Sequence, residues 1–97
     1  MTDGMAFAPT SVTVAVGATV TWRNTGRGLV HTVTADPALV RDATHVALPS
    51  GVAPWASETI GPGQSWSHTF EASGDYRYCC LPHELADMVG TVIVNEA

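Results

Sequence analysis

Lysine is absent from these 97 residues, and four arginines stand against nine acids, for a formal net charge of -5. A surface of that sign repels a phosphate backbone, so nucleic acid is not an expected partner. There is no apolar run of about eighteen residues, so no membrane-spanning helix is expected. Met1-Thr2-Asp3-Gly4 also lacks the basic start and apolar stretch of an export signal. Only two cysteines occur and they are neighbours, Cys79 and Cys80. Adjacent strand residues point to opposite faces, so this pair forms no long-range disulfide and an immunoglobulin-type cross-link is ruled out.

What remains is a chain with 45% hydrophobic and 13% charged residues, nine glycines and six prolines. That composition fits a turn-rich globular protein rather than a disordered one. The length suits one domain over residues 1–97 with a modest core. Val12, Val14 and Val16 alternate with polar or small residues, Gly17-Ala18 turns the chain, and Val20 and Trp22 alternate again. Val30 to Thr34 is β-branched enough for a short strand with His31 near its start. Asp36-Pro37 is a cap and first-turn pair, predicting at most one short helix near residues 37–42.

Gly61-Pro62-Gly63 leads into Ser65 to Phe70, where Trp66, His68 and Phe70 share a face, and beyond Ser73-Gly74 the residues Tyr76, Tyr78 and Cys80 share another. Leu81 to Asp87 reads as a short loop and Val89 to Val94 as the last strand. Some seven or eight short strands with hardly any helix predict an antiparallel two-sheet Greek-key β-sandwich.

Cys80, His83 and Met88 fall within nine residues, where a strand ends, a loop runs out and the next strand begins. His31 can add a fourth donor from another strand. A thiolate, two imidazoles and a weak axial thioether are the ligand set of an electron-transfer copper site. Sulfur ligands favour Cu(I) and imidazoles hold Cu(II), so a rigid trigonal arrangement serves both states and little moves when an electron arrives.

At these residues the chain resembles the cupredoxins, and among them the small blue copper proteins of plastocyanin and halocyanin type. Ala6-Phe7-Ala8-Pro9 is similar to that family's opening strand, and Val16 to Asn24 to its glycine-containing turn and second strand. Gly74 to Gly90 is similar to its ligand region. The resemblance implies a type 1 copper site with His31, Cys80, His83 and Met88 as ligands, one copper ion per chain. Three residues depart from the pattern. Cys79 stands where plant plastocyanins carry tyrosine, so a second electron route there is not expected. Asp87 replaces the usual glycine before the axial methionine, which bears on the geometry of Met88. Thr32 follows His31 in place of asparagine, so the side-chain hydrogen bond that ties the ligand strands is expected to be absent or different.

The other candidates have blander readings. Cys79 is expected to face away from the metal as a bystander thiol, open to dimer formation if exposed. Trp22, Trp66 and Phe70 are expected in the core, His68 packed among them, His45 in solvent and Trp55 without a clear place. Glu84, Asp87, Asp36 and Asp42 read as a solvated charge scatter.

The function expected is a soluble one-electron carrier, monomeric, working between a redox donor and an acceptor. Leu81, Pro82, His83, Leu85 and Ala86 are expected to form the apolar docking rim, as the resemblance also implies. The alternative is a copper storage or sensor domain using the same ligands. Structural zinc is weaker, because methionine is a poor zinc ligand. Catalysis is not expected: no histidines flank Cys80 to reach further coppers, and a thiol hydrolase has no use for Met88. Copper chemistry suggests the periplasm, an extracytoplasmic membrane surface or a thylakoid-type lumen, with a leader or anchor lying outside these residues.

Overall fold

The computed structural model describes residues 1–96. Seven strands form two sheets: β1 Ser11–Ala15, β2 Thr19–Arg23, β3 Thr34–Ala35, β4 Trp55–Ala56, β5 Ser65–Thr69, β6 Gly74–Cys79 and β7 Val89–Asn95. The larger sheet has the order β1-β7-β6-β3-β4, and β2 pairs with β5 in the smaller one. This is the expected two-sheet sandwich, with one refinement. All pairs are antiparallel except β1 with β7, which run parallel from Ser11 opposite Thr91 to Ala15 opposite Asn95. Alternation fixes which face a side chain takes but carries no information on strand direction.

The alternating faces do close a core. Val12 and Val14 turn inward from β1, Val20 and Trp22 from β2, Tyr76 and Tyr78 from β6, and Val92 and Val94 from β7. Trp22 lies across from Trp66 in the β2–β5 register and packs edge-on to Tyr78, with centroids 5.3 Å apart at 83°. Phe7 meets the same tyrosine edge-on at 4.8 Å. Such side chains contribute on the order of 1.5–3 kcal/mol each when fully buried. Tyr78 pairs with Gly90, and a Cβ at Gly90 would run into the tyrosine ring, so β7 needs glycine there.

Trp55, left without a place by the sequence, joins this core from β4: it stacks on His68 at 4.4 Å and on Trp66 at 5.8 Å. His68 is thus packed among aromatics as expected, and burial pushes its imidazole pKa down.

Four local expectations need correction. Residues 6–9 form no strand; Phe7 is buried, but the first ladder begins at Ser11. Residues 30–33 are not a strand either, because their amides are used elsewhere: His31 makes a lone antiparallel bridge to Ile60, Thr32 N points at Cys80, and Val33 N donates to Ser57 Oγ. No helix covers 37–42. Asp36 does accept from Ala38 N at 2.9 Å, but Leu39 finds no core and stays 54% exposed, so the chain merely turns. The 3₁₀ turn comes later, at Ala43–His45, with Asp42 as its cap. Finally, Leu81–Ala86 is a 3₁₀ segment rather than an open loop, with Pro82 in its first turn.

Candidate metal centre

Strand β6 delivers Cys80 to the end of the sandwich, and the turn that follows folds back over it. His83 N donates to Cys80 O at 3.2 Å, Cys80 N to Met88 O at 3.0 Å, and Met88 N to His83 O at 3.4 Å. These bonds set three residues of the predicted ligand set side by side. The turn closes through Asp87, whose φ of 56° and ψ of 38° lie in the left-handed region. Glycine takes that conformation freely, and aspartate is among the few other residues that tolerate it. The replacement therefore keeps the backbone path to Met88.

His31 reaches the same place from the other side. It exchanges two backbone bonds with Ile60, at 3.0 and 2.7 Å. Buried Asn24 organises the loop before it, donating to Leu29 O and Ile60 O and accepting from Gly26 N. Asp3 caps that loop by accepting from the amides of Arg27, Gly28 and Leu29, and those donors hold its carboxyl below the usual range.

The donor atoms of His31, Cys80 and His83 all lie within 4.8 Å of one another. Cys80 Sγ is 3.7 Å from His31 Nδ1 and 3.3 Å from His83 Nδ1. A first-row ion bound at about 2.0 Å to nitrogen and about 2.3 Å to sulfur in a trigonal plane needs donors about 3.7 Å apart, so the cluster fits such an ion. Met88 is buried in the core, and its backbone is bonded to both Cys80 and His83. Burial pushes the Cys80 thiol pKa up, offset in part by amide donors from Thr32 and His83, while burial and the nearby His83 push His31 down. A neutral imidazole is the form that binds metal, and a bound cation deprotonates a coordinating thiol. His31 Nε2 is buried without a hydrogen-bond partner among the described residues.

The model of the copper binding proteins of the plastocyanin/azurin family matches residues 1–95. The chain belongs to this family. Its cofactor is copper, and it is a cupredoxin in fold and in the type of its metal centre. It is similar to the chloroplastic plastocyanin of Pisum sativum, 36% identical over 96 residues, which cover 95% of this chain and 53% of that protein. The chain thus spans about half the length of that relative. Plastocyanin from Scenedesmus fuscus is 37% identical over 91 residues, covering 94% of this chain and 88% of that one. A solved structure of an oxidized amicyanin mutant superposes with a TM-score of 0.71 at 30% identity, covering 94% of this chain and 74% of that chain.

Two departures within the cupredoxin pattern left alternatives open, and the structure selects between them: the tie at Thr32 is different rather than absent, and Cys79 is buried rather than exposed. The tie between ligand segments is present: Thr32 Oγ1 accepts from Leu81 N at 2.9 Å, and Thr32 N donates to Cys80 Sγ at 3.4 Å. A threonine hydroxyl has the acceptor lone pairs this needs. Cys79 points away from Cys80's face but is fully buried, with its thiol pKa pushed up to about 12 chiefly by burial, so the dimer route is closed.

The acids of the ligand turn are not a uniform scatter either. Glu84 is 3% exposed and accepts from Arg41 N, Asp42 N and His45 Nδ1, at 2.9, 2.9 and 2.8 Å. His45 is accordingly half-buried rather than solvent-facing. A glutamate in a polar loop and a histidine 39 positions away carry no common sequence signal. Asp87 and Asp42 do stay exposed. Among the described residues, no helix is long and apolar enough to cross a membrane.

Proposed function

We propose that residues 1–97 act as one domain, a one-electron carrier in which His31, Cys80, His83 and Met88 hold the copper. Copper supplies the Cu(I)/Cu(II) couple when bound. The chain's part is to keep the donors still. His31 is held by its bridge to Ile60, Cys80 by the Met88 carbonyl and the Thr32 amide, and His83 by the Cys80 carbonyl. Ligands fixed by such bonds need little rearrangement on electron arrival. The observation that carries this reading is the meeting of one thiol and two imidazole nitrogens from separate segments within 4.8 Å.

His83 is partly exposed, unlike His31 and Cys80, which makes it the way out for the electron. Around it Pro82 and Ala86 are exposed and Leu81 is half-buried, while Leu85 is 82% exposed. These side chains form the rim against which a redox donor and acceptor dock in turn, the chain itself being a monomer. A contact well under about 1,200 Å² suits such short encounters. The carrier works outside the cytoplasm, as a periplasmic, membrane-surface or lumenal protein. No catalytic role is assigned to the cluster.

The rival reading with the same ligands is copper storage or sensing. Voltammetry and electron self-exchange of the copper-loaded protein separate the two. A carrier gives a reversible one-electron wave and fast self-exchange. Tight copper retention with slow or irreversible electron exchange overturns the carrier reading in favour of storage.

A further inference from the structure

We propose that Glu84 is a positioning residue for the copper site: its carboxylate ties the turn bearing His83 and Met88 to the Arg41–His45 segment, making that segment part of the frame that fixes both ligands. The inference rests on the copper reading above. Glu84 directly follows His83 and is almost wholly buried, a placement that is costly for a carboxylate unless donors replace its water. All three donors that do so, Arg41 N, Asp42 N and His45 Nδ1, come from a segment some forty positions earlier in the chain.

Apart from the longer, exposed ion pair of His45 Nε2 with Asp87 Oδ1 at 3.6 Å, no other hydrogen bond or ion pair of the described residues joins positions 82–87 to anything outside the 80–88 turn. The remaining bonds, His83 N to Cys80 O, Asp87 N to Glu84 O and Met88 N to His83 O, close the turn on itself. The 41–45 segment is in turn anchored to β6. Arg77 donates from Nη1 to Thr44 O at 3.0 Å, and Arg77 and Ala47 exchange backbone bonds at 3.1 and 2.9 Å. Since β6 runs directly into Cys80, the bonds complete a ring: Cys80, the turn, Glu84, residues 41–47, Arg77 and back. Removing Glu84 opens that ring at its middle and leaves the turn tied to residues 41–45 by the exposed His45–Asp87 ion pair at 3.6 Å alone, with Met88 O still accepting from Cys80 N. Groups that orient metal ligands from outside typically change metal affinity about 10–100-fold when lost.

The test compares wild type with Glu84→Ala, Glu84→Gln and His45→Ala, by amide hydrogen exchange of the copper-free proteins and by Cu(II) affinity and visible spectrum. In Glu84→Ala the amides of Arg41 and Asp42 lose protection while those of β6 and β7 keep it. Cu(II) affinity falls about tenfold or more, with an altered charge-transfer spectrum. Glu84→Gln keeps one acceptor oxygen and recovers part of both, and His45→Ala, which spares the two amide bonds, changes them less. The proposal is overturned if Glu84→Gln and Glu84→Ala match wild type in affinity and spectrum, and Glu84→Gln alone decides it if the alanine variant does not fold. A coloured wild type with unchanged variants removes this proposal only, whereas a wild type that takes up no copper overturns the copper reading and this proposal with it.

Discussion

Thr32 touches Cys80 and its neighbour at once: its amide lies 3.4 Å from Cys80 Sγ while its hydroxyl oxygen accepts from Leu81 N at 2.9 Å. One residue next to His31 thereby fixes both the sulfur and the first residue of the ligand turn. The amide also gives a thiolate a hydrogen-bond donor, which favours the charged form.

Thr32→Val keeps the shape and the amide but removes the hydroxyl that accepts from Leu81 N and bonds Thr34 Oγ1 at 3.0 Å, leaving both of those groups without that partner. A loss of about 1–3 kcal/mol in urea unfolding of the copper-free protein is expected. Unchanged stability would show that Leu81 N finds another acceptor and that the tie is not what holds the two segments.

His45 gives the protein a pH dependence whose sign is fixed. The Glu84 hydrogen bond, with Asp42 and Asp87 also facing the ring, raises its pKa above the ordinary value near about 6.5. Its stabilisation is therefore complete below that unfolded value and fades as pH rises through the higher folded one. Relative to His45→Gln, wild type is expected to gain stability at pH 6 and to lose that advantage by pH 8 and above. Parallel stability profiles for the two proteins would contradict this.

Leu85 projects from the ligand turn with 82% of its surface exposed, so Leu85→Asp should change stability by no more than about 0.5 kcal/mol. It places a charge in the rim where the partner has to exclude water. Electron self-exchange of the copper-loaded variant should slow markedly while its visible spectrum stays that of wild type. Equal exchange rates would remove this rim as the docking surface.

The sandwich and the metal cluster were legible because each leaves a local pattern. Alternation at Val12-Val14 and Val20-Trp22 marks strand faces whatever the tertiary context, and Cys80, His83 and Met88 are close in sequence because one turn carries them. The parallel course of β1 beside β7 was not legible, since it depends on a pairing across some eighty residues. Val30 to Val33 look like a strand by propensity, yet their amides serve Ile60, Cys80 and Ser57 instead of a ladder. Glu84 and His45 were misjudged for a related reason. Polar residues in an irregular stretch read as solvated until the fold brings buried amides against them.

The central claim, that Cys80 joins His31 and His83 around one copper, is tested most directly by adding Cu(II) to the copper-free protein and following visible absorption. Wild type should develop an intense sulfur-to-copper band that saturates at one equivalent, and Cys80→Ser should bind no copper in that coloured form. A wild type that stays colourless, or a serine variant that develops the same band, would contradict the account.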